Sequence, residues 1–199
     1  IVVAGGMESM TNAPYLADGA RGGFRYGNTE LRDAIIADGL WCAFDACLMG
    51  LGTDRYTGDS ITREQQDEFA ATSNERAANA IKDGRLADEI VPVAVPQRKG
   101  DPIMVDTDEH PRETTLEKLA SLATPFREGG SVTAGNASGV NDGAAAVLLM
   151  SAEEAEKRGL KPLARIASYA TAGLDPSIMG VGPIYASRKA LDKAGWNVA

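Results

Sequence analysis

In Asn136-Ala137-Ser138-Gly139-Val140-Asn141-Asp142-Gly143-Ala144-Ala145-Ala146-Val147-Leu148-Leu149-Met150-Ser151, a small polar segment gives way to an apolar one. Gly135, Gly139 and Gly143 interrupt small polar residues, and an apolar run without a polar break then follows to Met150. Bounded by glycine and serine, a run of that length reads as a strand buried on both faces. Ser151 is placed to cap a charged helix through Arg158, with Gly159 as its stop. Beyond it, Leu163 to Ala172 reads as a further strand, and Pro183 to Ala194 as an amphipathic helix with Ile184, Ala190, Leu191 and Ala194 turned inward. At the other end, Ile1-Val2-Val3-Ala4-Gly5-Gly6 is a β-branched run closing on glycines, again a strand. Strands alternating with helices predict an α/β class with a largely parallel, covered sheet. The helical and irregular region from about 11 to 130 lies between two such strands and reads as an inserted subdomain.

Within that region the clearest element is a helix from Arg63 to Asp83. Thr62 followed by Gln65 forms a capping-box start, and Gly84 supplies the stop. Phe69, Ala77, Ala80 and Ile81 are its expected buried stripe; Glu64, Asp67, Glu75 and Lys82 are expected to face water. Thr29 to Gly39 is a short helix candidate, and Trp41 to Met49 is apolar but ambiguous. Glu89 to Val95, alternating around Pro92, reads as an edge strand or extended segment. Gln97 to Thr115 reads as irregular with a turn at Lys99-Gly100-Asp101, and Leu116 to Leu122 as one or two helical turns. Glu8 to Asn28, rich in Gly, Asn, Pro and Tyr, is a loop long enough to suggest function or subunit contact.

Composition narrows the chemistry. The 199 residues are 44% hydrophobic, which excludes wholesale disorder, and no apolar stretch approaches the roughly 20 residues of a membrane helix. A formal net charge of -8 argues against nucleic acid or an acidic membrane surface as partner, while leaving room for a small anion on a local basic patch. Two cysteines and one histidine are too few for a disulfide scaffold or a Cys/His zinc site, so no metal is expected. Cys42 and Cys47, five apart among Trp41, Phe44 and Leu48, read as small buried hydrophobes in preference to a regulatory disulfide. The abrupt β-branched start and the end at Gly195-Trp196-Asn197-Val198-Ala199 read as an interior piece of something longer.

Three segments then carry a resemblance: Val3-Ala4-Gly5-Gly6-Met7-Glu8-Ser9-Met10-Thr11-Asn12-Ala13-Pro14, then Asn136 to Ala146, then Gly182-Pro183-Ile184-Tyr185-Ala186-Ser187-Arg188-Lys189-Ala190-Leu191. Together, in this order and spread over nearly the whole chain, they resemble the thiolase family. The resemblance implies an αβαβα layered fold of two similar halves with an inserted loop domain, only partly covered by this chain. On it, residues 1–4 end a strand of the N-terminal half, 5–130 hold a tetramer-contact loop and the loop domain, 131–158 return to that half, and 159–199 begin the C-terminal half. It further implies a cytoplasmic homo-tetramer, or dimer of dimers, acting on coenzyme A thioesters, with coenzyme A as substrate and no separate cofactor.

The implied chemistry is a reversible Claisen condensation of acetyl-CoA and thiolysis of 3-ketoacyl-CoA. A cysteine thiolate takes up the acyl group, a second cysteine moves the proton, and an oxyanion hole steadies the developing charge. The 199 residues contain none of the family's Asn-x-x-Cys-x-Ser-Gly, Cys-x-Gly-Gly-Gly, Gly-His-Pro or Asn-Glu-Ala-Phe words. Cys42, Cys47 and His110 match none of them, so no catalytic residue is assigned and the chain by itself is expected to be inactive. What the resemblance assigns is a coenzyme A face. Arg112 matches an arginine beside the nucleotide, where a guanidinium fork suits a phosphate or adenine. Ser138 and neighbouring Ala137 match the approach to pantetheine, Phe126 a pantetheine-packing aromatic, Leu40 and Met49 the channel near the thioester, and Met179 the acyl pocket. Read without the resemblance, Arg112 is a solvated side chain, Ser138 a turn residue, and Phe126, Leu40, Met49 and Met179 plain core. Leu48-Met49-Gly50 stands where short-chain biosynthetic members often carry His-Met-Gly, and Leu51 to Ser60 is shorter than in those members; both departures leave a longer 3-ketoacyl substrate open. The alternative function is a noncatalytic thiolase-like protein that binds acyl-CoA or scaffolds a partner.

Overall fold

The computed structural model describes residues 1–57 and 60–198; positions 58 and 59, inside the Leu51 to Ser60 segment, and the terminal residue 199 lie outside the described residues. The chain divides into two compact units, one formed by 1–56 with 140–199 and the other by 57–139.

In the first unit, strand β1 (Val2–Glu8) pairs antiparallel with the strand formed by Gly143–Leu149, in a register that sets Val2 against Leu149 and Glu8 against Gly143. The apolar run after Gly143 is therefore a strand, but its neighbour runs the opposite way to the parallel arrangement expected. An apolar run reports what covers its faces and says nothing about the direction of the strand beside it. Both faces are also exposed: Leu148 retains 56% of its accessible surface and Leu149, pointing the other way, 40%. Gly5 is obligatory here, because a Cβ would press on the Ala145–Ala146 backbone of the partner strand.

Short ladders organise the loop that follows. β2 (Tyr15–Leu16) pairs with β3 (Arg32–Asp33). The expected Thr29–Gly39 helix begins later, as a wide helical turn over Ile35–Leu40, because Arg32 and Asp33 are taken by the ladder and Asp33 Oδ1 accepts from Ile35 N at 2.9 Å. β4 (Trp41–Cys42) and β5 (Cys47–Leu48) form a hairpin, and α1 (Met49–Thr57) starts directly after it.

The second unit is built on α2 (Arg63–Lys82). Both halves of the Thr62/Gln65 capping box form, and Gly84 takes the left-handed conformation at the far end. Two expectations about its faces are corrected. Phe69 is exposed and Asp67 is buried. The inward stripe runs Asp67, Ala70, Asn74, Ala77, Ile81, a strict three–four spacing, because Asp67 is neutralised by Arg63 one turn earlier and can be carried inward. β6 (Val93–Val95) pairs with β7 (Ile103–Val105) around a turn whose Gly100 has φ +90°, so the region expected to be irregular contributes a strand. α3 (Leu116–Ala120) follows, its Thr115 hydroxyl accepting from Lys118 N.

The remaining elements return to the first unit: β8 (Gly143–Leu149), then α4 (Ala152–Lys157), capped by Ser151 and stopped by Gly159, and α5 (Gly182–Ala194), stopped by Gly195. Ala190, Leu191 and Ala194 are half-buried on α5, whereas Ile184, expected inward, is exposed. Leu163 to Ala172 joins no ladder with the described residues and is not the strand expected. Its carbonyls turn to α5 instead: Lys193 Nζ donates to Tyr169 O at 3.0 Å and Lys189 Nζ to Thr171 O at 3.4 Å.

Candidate functional site

The second unit carries Arg112, Phe126, Ala137 and Ser138. Arg112 is exposed, on the loop before α3, and its backbone N–H donates to Asn74 Oδ1 at 3.2 Å. Ala137 and Ser138 are exposed and follow a tightly tied turn. In that turn Asn136 accepts from Thr133 N at 2.8 Å and donates to Ser131 O at 2.8 Å and to Asp67 Oδ1 at 3.3 Å. Ser131 and Thr133 are buried. Asp67 in turn accepts from Arg63 Nε at 2.8 Å, and Arg63 Nη2 also donates to the carbonyls of Leu119 and Leu122 at the end of α3. Phe126 is half-buried.

Arg112 and the Ala137–Ser138 pair thus depend on one helix. Asn74 and Asp67 are seven residues apart, two turns, and share the inward face of α2 about 10 Å apart along its axis. Neither residue was legible as functional, since polar residues on a charged helix read as solvated. The available signal was the spacing: Asp67 falls in step with Ala70, Ala77 and Ile81, one turn after an arginine.

In the first unit, Met49 and Met179 line one cavity of about 70 Å³ together with Cys42, Cys47 and Tyr56. Met49 enters at the start of α1. Met179 is delivered by a tight helical turn over Pro176–Val181, whose cap is Asp175: Oδ1 accepts from Ser177 Oγ at 2.6 Å and from Ser177 N at 2.9 Å. The Ser177 hydroxyl and then its N–H hold the Asp175 carboxyl below its ordinary value of 3.8. Gly180 is needed because a Cβ there would strike the Tyr56 ring. Leu40 ends the wide turn before β4 and is not among the residues lining this cavity.

A second constellation joins two of the sequence segments that carried the resemblance. Antiparallel pairing of β1 with β8 brings Ser9-Met10-Thr11 beside Asn141-Asp142-Gly143. Asp142 Oδ1 accepts from Thr11 N at 2.8 Å and Oδ2 from Ser9 Oγ at 3.4 Å. The Thr11 amide is the main reason the Asp142 carboxyl lies below its ordinary 3.8. Segments more than 130 residues apart are locked by one carboxylate.

Comparison with known proteins identifies the family. The family model described as "Thiolase, N-terminal domain" matches residues 1–153 and that described as "Thiolase, C-terminal domain" matches 160–199. The chain belongs to the thiolase family, and its fold is part of the thiolase fold. It is 58% identical over 200 residues to an acetyl-CoA acetyltransferase of Pseudomonas aeruginosa, covering all of this chain and 51% of that protein. A Rhizobium meliloti protein of the same name is 55% identical, with 51% of it covered. The crystal structure of the Bacillus anthracis acetyl-CoA acetyltransferase superposes with a TM-score of 0.88 at 46% identity, covering 98% of this chain and 50% of that one. The structure of the Syntrophomonas wolfei acetyl-CoA acetyltransferase gives 0.89 at 42%. The chain spans about half the length of the curated relatives it matches. No helix among the described residues is long and apolar enough to cross a membrane.

Proposed function

We propose that these residues form the coenzyme A-facing portion of a thiolase-family acyltransferase. The reaction is the reversible Claisen condensation of acetyl-CoA, and CoA-dependent thiolysis of a 3-ketoacyl-CoA through an acyl-cysteine intermediate. Arg112 holds the nucleotide end, Phe126, Ala137 and Ser138 flank pantetheine, and Leu40, Met49 and Met179 line the path to the acyl group. Coenzyme A is substrate, with no separate cofactor; the assembly is a cytoplasmic homo-tetramer. The observation that carries this reading is 58% identity across the whole chain to an acetyl-CoA acetyltransferase, coupled to the Asp142–Thr11 lock between two family segments.

On this reading the acyl-accepting thiol is neither Cys42 nor Cys47. Both lie in the β4–β5 hairpin, and the attack step needs a thiolate with an oxyanion hole beside it. The test has two arms. The 199-residue chain, offered radiolabelled acetyl-CoA, is expected to take up no covalent label, whereas the protein carrying the missing cysteine words is expected to label and to consume 3-ketoacyl-CoA when CoA is added. Label on Cys42 or Cys47 with turnover overturns the assignment of roles. Coenzyme A binding by the longer protein without any turnover supports the noncatalytic reading instead.

A further inference from the structure

In the β4–β5 ladder Cys42 stands directly opposite Cys47. Opposed residues of an antiparallel pair have Cα atoms about 4.5–5.5 Å apart, with side chains on the same face. A disulfide accepts Cα separations of roughly 4.4–6.8 Å, so this register places the two thiols within bridging reach without backbone movement. Both are free; Cys42 is half-buried and Cys47 buried. A second observation agrees: both line the cavity that holds Met49 and Met179. The turn between them is firmly set, with the Asp45 N–H donating to Cys42 Sγ at 3.4 Å and Ala46 closing it at φ +49°. On the far side, Arg55 Nη1 donates to Cys47 Sγ at 3.7 Å.

We propose that Cys42 and Cys47 are a redox-active dithiol that closes to a cross-strand disulfide by exchange with a low-molecular-weight disulfide such as oxidised glutathione. Cys42, the less buried residue of the two, attacks first: a sulfur–sulfur bond forms to one glutathione while the glutathione disulfide breaks and the other half leaves as a thiol. Cys47 then attacks the Cys42 sulfur from across the ladder, and the second glutathione leaves as a thiol. Both protein hydrogens end on glutathione, two electrons pass to it, and the protein gains one bond. Cys47 needs no path to solvent because its target is its cross-strand neighbour, and held in place it acts at high effective concentration. Closure pins the hairpin immediately before Met49.

The experiment treats the reduced protein with oxidised glutathione, quenches in denaturant with an alkylating reagent, and digests with trypsin. Asp33 to Arg55 holds both cysteines and no internal Lys or Arg, so one peptide reports the pair. It is expected to lose two hydrogens, take no alkyl group, and revert with dithiothreitol. Amide exchange over Trp41 to Met49 is expected to slow in the oxidised form. In C47A the resolving thiol is gone, and the glutathione adduct on Cys42 is expected to accumulate at least tenfold above wild type. C42A is expected to form no bridge. Two alkylated thiols in the oxidised wild type, a bridge between chains, or an equal adduct in wild type and C47A each overturn the proposal. These readouts do not depend on acyltransferase activity.

Discussion

Replacing Asp67 by alanine probes the contact on which α2 and the Ala137–Ser138 turn both depend. The carboxylate retains 5% of its side-chain exposure and faces an Arg63 side chain that is 20% exposed. D67A removes the acceptor for Arg63 Nε and for Asn136 Nδ2 together, leaving a mostly buried guanidinium uncompensated. Breaking a buried pair from one side costs about 3–5 kcal/mol. The lower end applies because Arg63 keeps the Leu119 and Leu122 carbonyls, and Asn136 keeps Thr133 N and Ser131 O. At about 1.4 kcal/mol per factor of ten, a loss of 3 kcal/mol is roughly a hundredfold drop in protection against amide exchange. Native-state hydrogen exchange read by mass spectrometry over Arg63 to Lys82 and over 131–138 is the assay. Both peptides are expected to lose protection together. R63M/D67A is expected to be far less damaging than the sum of its singles, with a coupling of about 2–3 kcal/mol. A D67A change under fivefold, or single effects that add within about 0.5 kcal/mol, refutes the argument.

Three further outcomes follow from the same geometry. T62A removes the side-chain half of the capping box and is expected to cost about 1 kcal/mol, seen as a lower melting temperature and faster exchange in the first turn of α2; no change means the turn is held by other contacts. G180A puts a Cβ about 3 Å from Tyr56 Cζ and is expected to cost about 1–3 kcal/mol, with partial recovery in G180A/Y56A; an unaltered melting temperature in the single variant contradicts the packing. The Asp142 carboxyl is held below 3.8, first by the Thr11 N–H, so its contribution to stability is complete above that value and fades as pH falls through the depressed one. A carboxyl NMR titration placing Asp142 at or above 3.8 refutes the lock.

Local chemistry was legible in the sequence wherever the cause is local. Thr62 with Gln65, Ser151, Gly84, Gly159 and Gly195 all stand where helix ends were read, because a cap or a left-handed glycine needs only its own backbone. Faces were not legible, because burial is decided by what packs against an element. Phe69 looked inward and is exposed; Ala144 to Leu149 looked covered and lies open on both sides. Their composition suits a layered fold, and these residues span half of the thiolase chains they superpose on. The same reason accounts for Leu163 to Ala172: its residues suit a strand, yet a strand also needs a ladder partner, and α5 supplies lysine donors instead.

The candidate site shows the complementary asymmetry. The resemblance assigns roles to exposed side chains, Arg112 and Ser138, and any such role depends on where the side chain is held. What holds them are residues that no such segment singled out. Asn74 fixes the Arg112 backbone, and Asp67 fixes Asn136, one residue before Ala137. A long side chain on a loop can lose its ligand through a displacement as well as through substitution, so positions on α2 govern the geometry of both groups at once. If that holds, N74A and D67A shift amide exchange at different loops, 106–115 and 131–138, while sharing a common loss in α2. If the loops respond without the helix, or the helix without the loops, α2 is not the common support.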